Sequence, residues 1–159
     1  MKKRKKVKSN AFKEFGTAVG VGLVAGLAGT IAITVSQSIE MKITKREPST
    51  APADAVGKTL DIEPTEESKK PALAQKVHWT YGTGLGIARG LMSLAGLKGW
   101  PATLAHFTAV WGTSMVMLPK LELAPPVQER PPKTLLIEGL HHAIYAAVAG
   151  CVFDAIMEW

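Results

Sequence analysis

Between Phe15 and Ile39 the chain carries no charged residue, and directly before that stretch runs "MKKRKKVKSNAFK". This juxtaposition restricts the fold more than any other feature. At 1.5 Å rise per residue, a helix over the uncharged run exceeds the ~30 Å hydrocarbon core that about 20 residues span. The run also outlasts the apolar core of a signal peptide, about 7–15 residues, and no small-residue cleavage site follows it. It therefore reads as a retained anchor.

Three more apolar segments follow, so the expected spans are about residues 16–39, 77–97, 100–118 and 135–158. The fold class expected is all-α, an integral membrane four-helix bundle. It has a basic cytoplasmic tail over residues 1–14, a single membrane domain over 15–159 and one long polar loop over 41–76. Within the loop, "STAPADAVGKTL" predicts a short helix capped by Ser49 or Thr50, with Val56 and Leu60 on one side, resting on the membrane surface. "EPTEESKKP" after it reads as solvated and mobile. "LKGWP" is a tight turn, Pro101 suits the first turn of the third span, and Pro119 ends that span. Trp79, Trp100 and Trp159 fall near span ends, where indoles favour the interface, and Trp111 falls inside.

The net charge of +6 is concentrated in the tail. Lys and Arg beside an apolar span are attracted to anionic lipid headgroups, at ~1 kcal/mol each. The partner expected is thus the bilayer and not nucleic acid. The tail should stay in the cytoplasm, which makes this a multi-pass inner-membrane protein with both termini inside. Cys151 is the only cysteine and reads as a small packing residue.

Lipid tails are as apolar as leucine, so helices in a bilayer associate through close backbone contact, which small residues at a spacing of four permit. Gly22, Gly26, Thr30, Thr34 and Ser38 form such a row in the first segment, and Gly82, Gly86 and Gly90 in the second. Ala105, Ala109 and Thr113 form a weaker row in the third, and Gly139, Ala143, Ala147, Cys151 and Ala155 one in the fourth. These rows are expected to pack inside the bundle. The alternative is that one of them docks a second copy or a partner subunit.

Alternating span direction gives each polar residue a depth. Glu40, His78, Tyr81, Glu138, His141 and His142 fall in one outer layer, with Gln37 beside them. Arg89, His106 and Asp154 fall in an inner layer, and an intramembrane charge seeks a partner, so Arg89 is expected to face inward near Asp154 or His106. The competing reading puts the outer layer at headgroup level and lets Arg89 snorkel. Glu138 and His141 share a helix face at a spacing of three, a pairing used in ferritin-like di-metal bundles, with His78 and Glu40 as further ligands for a transition-metal ion.

The stretches "TKREPSTAPADAVGK", "HWTYGTGLGIARG" and "EGLHHAIYAAVAG" together resemble small four-helix bacterial membrane proteins that carry only domain-of-unknown-function labels. The resemblance covers most of the chain after the tail. It implies an inner-membrane location and no established activity.

The leading functional expectation is a small non-enzymatic inner-membrane protein, an accessory or structural subunit without a cofactor. One alternative is a proton or small-solute transport element using Arg89, His106 and Asp154. Another is a metal-binding or redox membrane protein using Glu40, His78, Glu138 and His141.

Overall fold

The computed structural model describes residues 2–62 and 66–158, with side chains from Asn10 onward. The side chains of the first part of the basic tail, Glu63, Pro64 and Thr65 of the polar loop, and the expected interfacial Trp159 lie outside the described residues. Among the described residues all regular structure is helical: α1 (Lys2–Thr44), α2 (Ala51–Leu60), α3 (Lys70–Leu94), α4 (Gly99–Lys120) and α5 (Pro132–Ile156). Short 3-10 turns, Glu67–Lys69 and Val127–Glu129, precede α3 and α5.

The boundaries follow local chemistry. Helix α1 is longer than the uncharged run. Its basic end holds good helix formers and no proline, and Lys45, with φ of 58°, closes the far end before Pro48. Helix α3 starts earlier than expected because Pro71 stands in its first turn, where a missing N–H leaves no bond unmade. It ends at Gly96, whose φ of 88° is the left-handed conformation that releases the chain after a helix. Thr50 caps α2 by position, but its hydroxyl donates to Asp54 at 3.2 Å instead of accepting from a helix N–H.

Neighbouring long helices run antiparallel. Ala18, Gly22, Gly26, Thr30 and Thr34 of α1 meet Gly90, Gly86, Thr83, Gly82 and His78 of α3 in reverse order. Ser36 and Gly29 of α1 meet His141 and Tyr145 of α5. Trp111 and Thr103 of α4 face Gly139 and Gly150 of α5. The α1–α3 seam is the tightest. A Cβ on Gly22 would stand 2.6 Å from the Gly86 carbonyl oxygen, and one on Gly86 would run into backbone of α1 that cannot move aside.

Apart from Gly139, which packs against Trp111, the rows expected on the other two segments do not serve this purpose. In α5 the buried residues are His141, Tyr145, Ala146, Ala149, Gly150 and Phe153, while Ala143, Cys151 and Ala155 are exposed. In α4 the buried residues are Ala102, Thr103, His106 and Val110, and Ala109 and Thr113 are exposed. Cys151 is therefore a surface residue and not an interior packing residue. Bulky Tyr145 and Phe153 take the inward face of α5 because Gly29 and Ala25 of α1 leave room for them.

Several polar side chains are buried and several large apolar ones are exposed. The largest fully buried side chains are Arg89, Tyr145, Phe153, His106 and Thr30. Outside, α1 presents Leu23, Leu27, Ile31, Val35 and Ile39 at a spacing of four, each more than a third exposed. Two helical stretches, Asn10–Thr44 and Pro132–Ile156, are long and apolar enough to cross a membrane. Helices α3 and α4 have the length but fall short in mean hydropathy.

Gly84 and Gly86 give opposite expectations. Nothing lies near a Cβ on Gly84, so Gly84→Ala gains helix propensity, up to ~1 kcal/mol. Gly86→Ala forces α1 and α3 apart and costs about 1–3 kcal/mol, the usual penalty of overpacking. Unfolding followed by circular dichroism measures both, and equal effects at the two positions would show that the seam is not in close contact.

Candidate functional site

The polar residues singled out above fall into two groups at opposite ends of the long helices. At the end where α3 passes into α4, the Arg89 guanidinium is wholly buried and pairs with the Asp154 carboxylate of α5. Its carbon lies 4.5 Å from the centroid of the Phe153 ring, a cation–π arrangement. His106 of α4, also wholly buried, bonds from Nε2 to the Leu85 carbonyl of α3 at 3.1 Å. A carbonyl oxygen only accepts, so Nε2 carries the proton and Nδ1 is left as an acceptor. That Nδ1 is buried without a partner, as are Nε and Nη1 of Arg89. The His106 ring is tilted over Tyr145, 5.6 Å between centroids, and the Tyr145 hydroxyl donates to the Gly82 carbonyl at 2.7 Å.

At the other end the six expected outer residues line one cavity of about 740 Å³. Helix α2 covers it with Pro52, Ala55, Val56 and Thr59. Two ties hold α2 there. Lys58 donates to the Leu121 carbonyl at 2.6 Å, and Asp54 pairs with Lys70 at 3.3 Å. The hydrogen bonds that Lys70 donates to Glu67 and Asp54 raise its ammonium above its ordinary value. The ammonium side of this tie therefore persists through neutral pH and is lost as pH rises through that raised value.

Five of these six wall residues have their own partners. Glu40 accepts from Arg46 at 2.8 Å, and Glu138 pairs with the largely buried Arg130. His78 bonds to the Thr34 hydroxyl at 3.0 Å and His141 to the Ser36 hydroxyl at 2.8 Å. His142 bonds through Nδ1 to the Glu138 carbonyl one turn earlier, at 2.7 Å. Tyr81 is half exposed at the rim. Glu40, His78, Glu138 and His141 thus share a cavity but do not form one donor set. Among the described residues, no three His, Cys, Asp or Glu side chains come together as a metal-ligand group.

Sequence reasoning left out several contributors. Arg46 and Arg130 come from the connections that precede α2 and α5, and depth counting along apolar spans does not consider connections. Thr34 was included as a small packing residue, yet its hydroxyl also meets His78. Trp111 packs inside as expected, stacked on Phe107 at 5.4 Å, with its indole N–H buried and unpartnered.

The buried ion pair generates a direct expectation. Asp154→Ala strands the Arg89 charge and costs about 3 kcal/mol, the lower end for buried pairs because Asp154 stays partly exposed. Replacing both, as Arg89→Met with Asp154→Leu, restores most of that loss, because no charge is then left without a partner. A double-mutant cycle in unfolding free energy measures the coupling, and strictly additive losses would mean that the two groups do not act as a pair.

Comparison with known proteins places no relative beside this geometry: the chain matches no protein-family model, no curated protein and no solved structure.

Proposed function

We propose that the chain is a small integral membrane protein with a structural or accessory role. On this reading α1, α3, α4 and α5 form a membrane-embedded four-helix bundle. The basic start of α1 rests on anionic cytoplasmic headgroups, and both termini lie on that side. The observation that carries the reading is where the polar and apolar groups sit. Arg89, Arg130, His106 and His141 sit inside, while a leucine, isoleucine and valine face of α1 sits outside. In water such an exterior would drive aggregation, whereas in a bilayer it is the surface that matches the solvent.

The arrangement of the buried polar groups supports a structural role over transport. Five of them bridge two helices. Arg89 of α3 reaches Asp154 of α5, and His106 of α4 reaches α3. Tyr145 of α5 reaches α3, and His141 of α5 and His78 of α3 both reach α1. Hydrogen bonds between helices stabilise membrane bundles by roughly 0.6–2 kcal/mol each, so this set is the adhesive that apolar burial does not supply there. Neither the cavity under α2 nor a shallower one along α4 is lined by Arg89, His106 or Asp154.

The test is extraction from membranes of expressing cells. The protein is expected to stay in the pellet through an alkaline carbonate wash, and to enter solution only with detergent. Release by carbonate, or a monodisperse protein without detergent, would end the proposal.

A further inference from the structure

The cavity beneath α2 has hydrogen-bonding capacity that its walls do not use. Both charged pairs in its walls are closed on themselves, Glu40 with Arg46 and Glu138 with Arg130. The walls therefore offer an ion no free counter-charge. Beside the side chains of Gln37, Gln75 and Tyr81, what is left over is imidazole. The Thr34 hydroxyl gives its one proton to the Thr30 carbonyl at 2.7 Å, so it can only accept from His78. His78 thus donates through Nε2 and keeps a lone pair on Nδ1. His142 donates through Nδ1 to the Glu138 carbonyl and keeps a lone pair on Nε2. His141 lines the same cavity, is nine-tenths buried, and has no partner on Nε2.

The remainder of the lining is mostly apolar. Pro52, Ala55 and Val56 of α2 face Met117 of α4 and Ile137 of α5 across the space. We infer that this cavity binds an amphiphile whose head is a neutral hydrogen-bond donor, an alcohol or phenol, attached to an apolar body. The head gives its proton to the free nitrogen of His78 or His142, and the body lies beneath α2. At these two nitrogens a carboxylate would meet lone pairs where it needs donors, and both arginines are already engaged. This inference concerns one end of the molecule and does not depend on how the long helices meet a bilayer.

Three probes of nearly equal size separate the possibilities: 4-octylphenol, 4-octylanisole and 4-octylbenzoate. The anisole differs from the phenol only in lacking the donor proton. Equilibrium binding is measured on the full chain, purified in detergent and reconstituted in nanodiscs. The phenol is expected to bind about tenfold more tightly than the anisole, the upper range for one hydrogen bond. The benzoate should bind no better than the anisole. His142→Phe and His78→Phe should shrink the phenol preference, and 15N-histidine spectra should show the phenol shifting an imidazole nitrogen. Val56→Trp, on the covering helix, fills the cavity and should weaken all three probes at unchanged helix content. That variant keeps the test decisive if a histidine variant fails to fold. Equal binding of phenol and anisole, tighter binding of the benzoate, or indifference to Val56→Trp would each overturn the inference.

Discussion

A guanidinium with no water around it is the constraint from which the rest of this structure can be read. Arg89 is wholly buried, and its charge is matched by Asp154 on another helix and by the face of Phe153. Leaving such a group unpaired is expensive in any low-dielectric interior, so helices α3 and α5 are committed to one relative register. Tyr145 and His106 extend the same commitment, since each spans a helix pair to a backbone carbonyl. Fixing α5 on α3 in turn fixes where Glu138, His141 and His142 stand at the opposite end, beside the cavity under α2.

Close approach and polar contact divide the work between them. Along α1 and α3, glycines let the backbones meet so tightly that little but backbone lies between them. Where that seam opens toward α2, Thr34 and Ser36 of α1 replace glycine and bond to histidines of α3 and α5. The gradual widening from glycine to hydroxyl to cavity follows the order of residues in α1, from Gly22 to Glu40. One row of small residues thus packs at one end and positions a binding space at the other.

Much of this was legible in the sequence, and the failures have physical causes. The helical class and the short helix in the polar loop follow from hydrophobic runs and proline positions, while the turn expected over 97–101 falls earlier, at Gly96, with α4 already begun at Gly99. The glycine rows of α1 and α3 follow from small-xxx-small spacing, because only glycine tolerates backbone against backbone. The same spacing rule failed on α4 and α5. Alanine and threonine rows are compatible with either face of a helix, and Tyr145 and Phe153 took the inner face of α5 where α1 offers Gly29 and Ala25. Depth along each span indicated that Arg89 and Asp154 lie at similar levels, but depth says nothing about rotation around the helix. The pairing of Glu40 with Arg46, and of Glu138 with Arg130, was not legible because both arginines stand in connections outside the spans.

The central claim is that the leucine, isoleucine and valine face of α1 meets lipid while the polar groups face inward. Nitroxide labels placed singly at Leu27, Ile31 and Val35 in nanodiscs report this directly, through their collisions with oxygen and with a water-soluble nickel chelate. The account predicts frequent oxygen collisions and almost none with the chelate at all three positions, against free chelate access at a label on Lys58. Chelate access at Leu27, Ile31 and Val35 equal to that at Lys58 would place water against this face and contradict the account.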